Sequence, residues 1–350
     1  MRKFLFKTLF FLSPVIFLFT FTWLFYSTDK GDLLRTGYIM DIFPHYRDIF
    51  KKEFERGVFY TNISDVNVKT KKQFTVLTIG DSFSEQGCYG YKNYVGENHG
   101  IDLLHFDLKN ENQVQVLFSL LNGDFFNTIH VKYVILQFVE RNIVDRVYEA
   151  DTAQSITYDE LCKWSEKEKN NLKKKDSSYK FPSDRMIKFP YYNLRYLIKK
   201  DTCYSVTYRT KINKDLFSVG SKKELLFYGD DLSAVEQNNK LENAKKLNGI
   251  FNDLSVKLKN NGIRLIVLPA PDKYDIYYEY IANKTRFPQP LFFEHMDSMP
   301  KKYIYVDSKQ ILSDAVRKKK DIYFYDDTHW SPWGSQLIAK ELMKIITKNE

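Results

Sequence analysis

A serine hydroxyl becomes an effective nucleophile only when a histidine takes its proton, and that histidine needs an acid to fix its tautomer and stabilise its charged form. The chain carries these side chain types in two short segments far apart, Gly80-Asp81-Ser82-Phe83-Ser84 and Asp326-Asp327-Thr328-His329-Trp330. Ser82 is the candidate nucleophile and His329 the candidate general base. Asp327 or Asp326 supplies the acid, two or three residues before the histidine. Each segment has a plainer reading: Gly-Asp-Ser is a common way to cap a helix, and a lone histidine is more often structural. Together, in the order Ser, Asp, His, they point to acyl transfer through an ester on Ser82.

Such residues need a scaffold that gathers them. Apolar runs at 74–79, 101–106, 131–138, 263–268 and 303–306 read as buried strands, separated by helical patterns that include a long one over 232–259 with Asn260-Asn261-Gly262 as its stop. Strands alternating with helices predict an α/β fold with a mostly parallel sheet covered on both faces. Ligands of such sheets bind at the carboxyl ends of strands, where Ser82 would stand. A serine opening a helix there would also gain from the positive end of the helix dipole. Residues 148–223 break the rhythm with a Lys/Glu-dense run and Phe189-Pro190-Tyr191-Tyr192, and are expected to be an insertion.

Residues 8–26 are uncharged and rich in Phe and Leu, long enough to span a bilayer, and follow Arg2, Lys3 and Lys7. The expected organisation is a transmembrane anchor over 1–28, a juxtamembrane connector over 29–72 and the α/β domain over 73–350; a cleaved signal peptide is the rival reading, disfavoured because the bulky Phe25-Tyr26-Ser27-Thr28 offers no small-x-small site. The basic flank predicts a single pass in the cytoplasmic (inner) membrane, amino terminus inside and domain outside. With 350 residues, 43% of them hydrophobic, the chain can bury a large core, and its net charge of +9 is scattered among many acids, so no nucleic-acid surface is expected. No Cys-x-x-Cys spacing suggests a metal, and no cofactor motif is seen; Cys162 and Cys203 could pair in an exported domain or remain thiols.

Both segments resemble the SGNH (GDSL-type) hydrolase superfamily, and within it the alginate O-acetyltransferase-like branch of membrane-anchored polysaccharide acetyltransferases. The resemblance runs over roughly residues 72–346 and implies a three-layer sandwich with Ser82 as nucleophile. In the acetyltransferase branch the carboxyl-terminal block often reads Asp-Thr-His-Trp, as at Asp327 to Trp330, which favours Asp327 over Asp326 as the acid. The alginate enzymes place acid and histidine ahead of the serine, whereas here they follow it, so alginate itself is not implied. The Gly-x-Asn-Asp block that gives many relatives an oxyanion-hole asparagine is missing, which leaves Asn142 and Gln137 as candidate amide donors. A Glu-Arg pair after the third strand and a Pro-x-Lys segment also recur in relatives. They make Arg141 a candidate for binding substrate or oxyanion, and Lys273 a candidate ligand. The resemblance implies a polysaccharide or oligosaccharide acceptor and an acetyl donor delivered by a membrane-bound O-acyltransferase partner. An esterase on the same fold, or a non-catalytic glycan-binding component, are the alternatives.

Overall fold

The computed structural model describes residues 1–27, 33–34, 38–39, 53–54, 56–66, 72–98, 100–107, 112–164, 188–199, 206–220 and 223–348. Helix α1 (Arg2–Phe25) contains a stretch, Arg2–Thr22, long and apolar enough to cross a membrane. Within it Thr8 and Ser13 donate their hydroxyls back to the carbonyls of Phe4 and Phe10, which keeps these polar groups satisfied without water. Strand β1 (Tyr26–Ser27) follows directly and pairs antiparallel with β2 (Tyr38–Ile39).

The central sheet is built from β3 (Thr61–Asn62), β4 (Gln73–Ile79), β5 (Leu103–Phe106), β6 (His130–Val139), β9 (Arg264–Ala270) and β10 (Ile304–Tyr305). Among the described residues these six strands run in the order β10-β9-β6-β4-β5-β3, and every pairing is parallel. The predicted strands are all present, and β3 adds a short edge strand from the segment expected to be a connector. A separate antiparallel pair, β7 (Thr207–Lys211) and β8 (Glu224–Tyr228), straddles the end of the expected insertion.

Side chains of a strand alternate between faces, and β9 shows what each face buries. Leu265 and Val267 enter one core with Leu117 of α3 (Gln113–Asn122) and Phe251 of α6 (Leu241–Asn260). Ile266, Leu268 and Ala270 enter the other with Val95 of α2 (Tyr91–Gly96), Leu312 of α8 (Ser308–Lys318) and Ile338 of α9 (Pro332–Thr347). This is the expected three-layer α/β arrangement. Burying a ring such as that of Phe251 contributes about 1.5–3 kcal/mol.

The long helical pattern over 232–259 is broken in the structure into Gly229–Ser233, Val235–Asn238 and α6. The cause lies in two asparagines whose amides bind elsewhere, Asn238 to the Glu140 carbonyl and Asn239 to the Gln289 carbonyl, while Lys240 takes extended backbone before α6. The expected stop holds, with Gly262 at φ 75.

From β4 the chain goes to β5 on one side of the sheet and afterwards to β6 on the other. The carboxyl ends of β4 and β6 therefore flank a topological switch point, where α/β sheets leave a crevice.

Candidate active site

Ser82 stands in the turn leaving β4, and the sequence around it is spent on holding that turn. The Asp81 carboxylate accepts the backbone N–H of Phe83 at 3.0 Å and of Val139 at 2.6 Å, so it ties the ends of β4 and β6 together. Gln137 answers with both ends of its amide: Oε1 accepts from the Asp81 N–H and the Ser84 hydroxyl, and Nε2 donates to Asp81 Oδ1. Gln137 is thus consumed by the turn and is not an oxyanion donor. A Cβ on residue 80 would collide with Ser84 Oγ and Gln137 Oε1, which is why glycine precedes Asp81. No helix starts at Ser82, contrary to the expectation of a helix-dipole contribution. Ser84 and Gln86 direct their side chains across the fold, and Gly87 takes φ 62, so α2 begins only at Tyr91.

The structure brings the two distant segments together. His329 Nε2 lies 2.8 Å from Ser82 Oγ, and His329 Nδ1 lies 2.7 Å from Asp327 Oδ1, which also accepts the His329 backbone N–H. An ionised Asp327 accepts a hydrogen bond from Nδ1–H, which assigns the tautomer and leaves the Nε2 lone pair facing the serine hydroxyl. Ser82 is exposed, whereas Asp327 is buried, so solvent and ligands can reach the hydroxyl while the carboxylate stays shielded. The Ser82 N–H has no acceptor among the described residues. Asp326 contributes its carbonyl instead, which accepts the Leu33 N–H; the carboxylate on the imidazole is that of Asp327.

The loop carrying Asp327 and His329 is fixed from several sides. Lys273, completely buried at the start of α7 (Lys273–Tyr277), donates from Nζ to the carbonyls of Phe324, Tyr325 and Asp327 at 2.7, 2.6 and 3.1 Å. It holds the loop from beneath, which differs from the expected ligand role: a side chain without accessible surface has no face for a ligand. Ser331 then caps α9, with Pro332 at its start.

Arg141, expected to meet substrate, has a side chain only 8% exposed and pairs with Asp231 at 3.0 Å and Asp272 at 2.5 Å. Its Nη1 also reaches Thr328 Oγ1 at 3.4 Å, between the acid and the histidine of the loop. Burial opposes the guanidinium charge, but the two carboxylates more than offset it, so its pKa lies above the ordinary value. Burial likewise raises Asp231, Asp272 and the neighbouring Glu140, whose Oε2 accepts the Asp272 N–H. Asn142 follows Arg141 into α4 (Glu140–Glu149) and is half-buried.

One contact had no sequence signal. Gln86, buried four residues after the serine, donates Nε2–H to the Trp330 carbonyl at 2.8 Å and accepts Trp330 Nε1–H at 2.7 Å; Ser335 donates to it as well. Phe83 packs its ring against those of His329 and Trp330, at 4.7 and 4.8 Å between centroids. This staple sets the distance between the serine turn and the histidine loop. Trp330→Phe keeps most of the packing but leaves Gln86 short of a donor, and we expect about 1–3 kcal/mol lower stability. A small displacement of His329 should lower kcat by about tenfold to a hundredfold with KM little changed. Thermal melts and ester kinetics on the variant check both.

Cys88 and Cys162 are free thiols; Cys203, the other half of the disulfide considered, lies outside the described residues. Among the described residues no grouping of three or more His, Cys, Asp or Glu side chains could hold a metal ion.

With the geometry in place, comparison with known proteins adds two findings. Residues 219–350 match the family model of the SGNH hydrolase-like domain of the acetyltransferase AlgX. A 93-residue segment is 31% identical to a protein of Pseudomonas fluorescens described as "Probable alginate O-acetylase AlgJ", covering 26% of this chain and 24% of that protein. The matched part therefore spans about a quarter of the relative's length. The family match includes Lys273 and the loop from Asp326 to His329, but not Ser82, which reaches the site only through the fold.

Proposed function

We propose that the protein, whose carboxyl-terminal part matches the SGNH hydrolase-like acetyltransferase family model, is a serine-dependent O-acetyltransferase of an extracytoplasmic polysaccharide. The observation that carries the reading is the continuous hydrogen-bonded line from Asp327 through His329 to an exposed Ser82. Ser82 Oγ attacks the carbonyl carbon of an acetyl donor while His329 Nε2 takes the hydroxyl proton. The tetrahedral oxyanion is met by the Ser82 N–H, and its collapse breaks the bond to the donor's leaving group, which takes the proton back from His329. An acetyl ester then remains on Ser82. A sugar hydroxyl gives its proton to His329, attacks the ester carbonyl and leaves as the acetylated sugar, and the proton returns to Ser82. Asp327 stabilises the imidazolium in both halves. Arg141 and Lys273 act through the loop, as positioning residues. The acetyl donor is presented by a membrane-bound O-acyltransferase partner, with α1 as a single-pass anchor whose Arg2, Lys3 and Lys7 stay inside.

Hydrolysis by the same site is the second reading, favoured by the solvent exposure of Ser82, since water can reach the acyl-serine as a sugar does. Incubation of oligosaccharide with a donor ester separates the two. Transfer predicts an oligosaccharide gaining one acetyl mass with Ser82 intact and none in Ser82→Ala. Acetate release without any gain in sugar mass contradicts transfer and leaves an esterase.

A further inference from the structure

Helix α5 (Lys188–Lys199) lies in the expected insertion and has no part in the chemistry above. Among its described side chains the exposed apolar ones are Tyr191, Leu194 and Ile198, at 54, 57 and 71% exposure. Their spacing of three and four residues puts them on one stripe of the helix. Lys188 and Lys199, both exposed, stand at its two ends. The other side of α5 faces the domain: Tyr196 packs against the core, and its hydroxyl lies 3.3 Å from that of Tyr325, in the loop that leads to Asp327.

The position of α5 relative to the anchor says what covers the stripe. With Lys7 at the inner surface, the uncharged residues 8–26 rise about 28 Å as an α-helix, close to the hydrocarbon thickness of a bilayer, so the span ends near Tyr26. Thr22 is already buried by the protein. Strand β1 begins one turn further on, at the depth of the lipid headgroups, and α5 packs beside β1. A helix held at that level with an apolar stripe, a tyrosine and terminal lysines has the composition of one that lies in the interface of an anionic membrane.

We infer that α5 is an interfacial membrane-binding helix, with Tyr191, Leu194 and Ile198 dipped into the outer leaflet beside the anchor. It rests on α1 being a bilayer span. The loop bearing Asp327 and His329 then stands above the lipid with α5 and the Tyr196–Tyr325 contact between them, and the serine site works close to the membrane surface.

The test uses the full chain with Cys88, Cys162 and Cys203 replaced by serine, reconstituted in vesicles of phosphatidylethanolamine with a minority of phosphatidylglycerol. Nitroxide labels are placed singly at Leu194→Cys and Ile198→Cys, at Leu12→Cys within α1, and at Val256→Cys, which is exposed on α6. Collision with oxygen, concentrated in lipid, is compared with collision with a water-soluble nickel chelate. The expected result is a ratio of oxygen to nickel accessibility at 194 and 198 several-fold above that at 256 and below that at 12. Labels at 194 and 198 as water-exposed as at 256 overturn the inference. Labels shielded from both reagents also overturn it, because another protein then covers the stripe. A water-exposed label at 12 removes the anchor reading and the inference with it, whereas a lipid-exposed 12 beside a water-exposed 194 removes the inference alone.

Discussion

Ser82→Ala should lower turnover of a chromogenic acetyl ester by on the order of 10⁵–10⁶ in kcat, because the general base then faces a methyl group and no acyl-enzyme forms. The fold should survive the change. The Ser82 side chain is exposed, and among the described residues its hydroxyl hydrogen-bonds to His329. Ser84→Ala, two residues away, is expected to behave in the opposite way. The Ser84 hydroxyl is buried between Gln137 Oε1 and the Tyr91 hydroxyl, at 2.7 and 2.8 Å. Its removal should cost about 1–3 kcal/mol of stability and leave measurable turnover. The pair of variants, compared by melting and by kcat, separates a nucleophile from a turn residue of the same type.

Asp327→Asn should reduce kcat by about 10³–10⁴ with the geometry nearly unchanged. The asparagine amide would present an N–H to His329 Nδ1, so the ring would carry its proton on Nε2 and could not accept the one from Ser82. Asp326→Asn should stay within about tenfold of the parent, since the carboxylate on the imidazole is that of Asp327, at 2.7 Å from His329 Nδ1. A collapse of Asp326→Asn with Asp327→Asn intact would assign the acid to the other residue. Ester kinetics on both variants, at a pH where the parent rate is flat, decide it.

Much of this architecture was legible in the chain. The strands of the sheet centre are continuous apolar runs because both their faces are covered, and such runs need no distant information to recognise. The same holds for the Ser82 turn and the His329 loop, whose residue types state their chemistry. What was not legible depends on partners far along the chain. Arg141 reads as a substrate ligand until Asp231 and Asp272, 90 and 131 residues away, are found on its guanidinium. Gln86 reads as an ordinary polar residue until Trp330 is placed against it. The helix break at 238–240 depends on the Glu140 and Gln289 carbonyls accepting two asparagine amides. The Pro-x-Lys segment points to Lys273, but its three carbonyl acceptors belong to a loop that takes shape only in the folded protein.

The most direct measurement is covalent trapping of the nucleophile. The full chain is treated briefly with a fluorophosphonate, which reacts preferentially with an activated serine, and the modified peptide is located by mass spectrometry in the parent and in His329→Ala. The account predicts a single adduct on Ser82 in the parent and its loss in His329→Ala. An unmodified Ser82, or labelling of Ser82 that persists without His329, would contradict it.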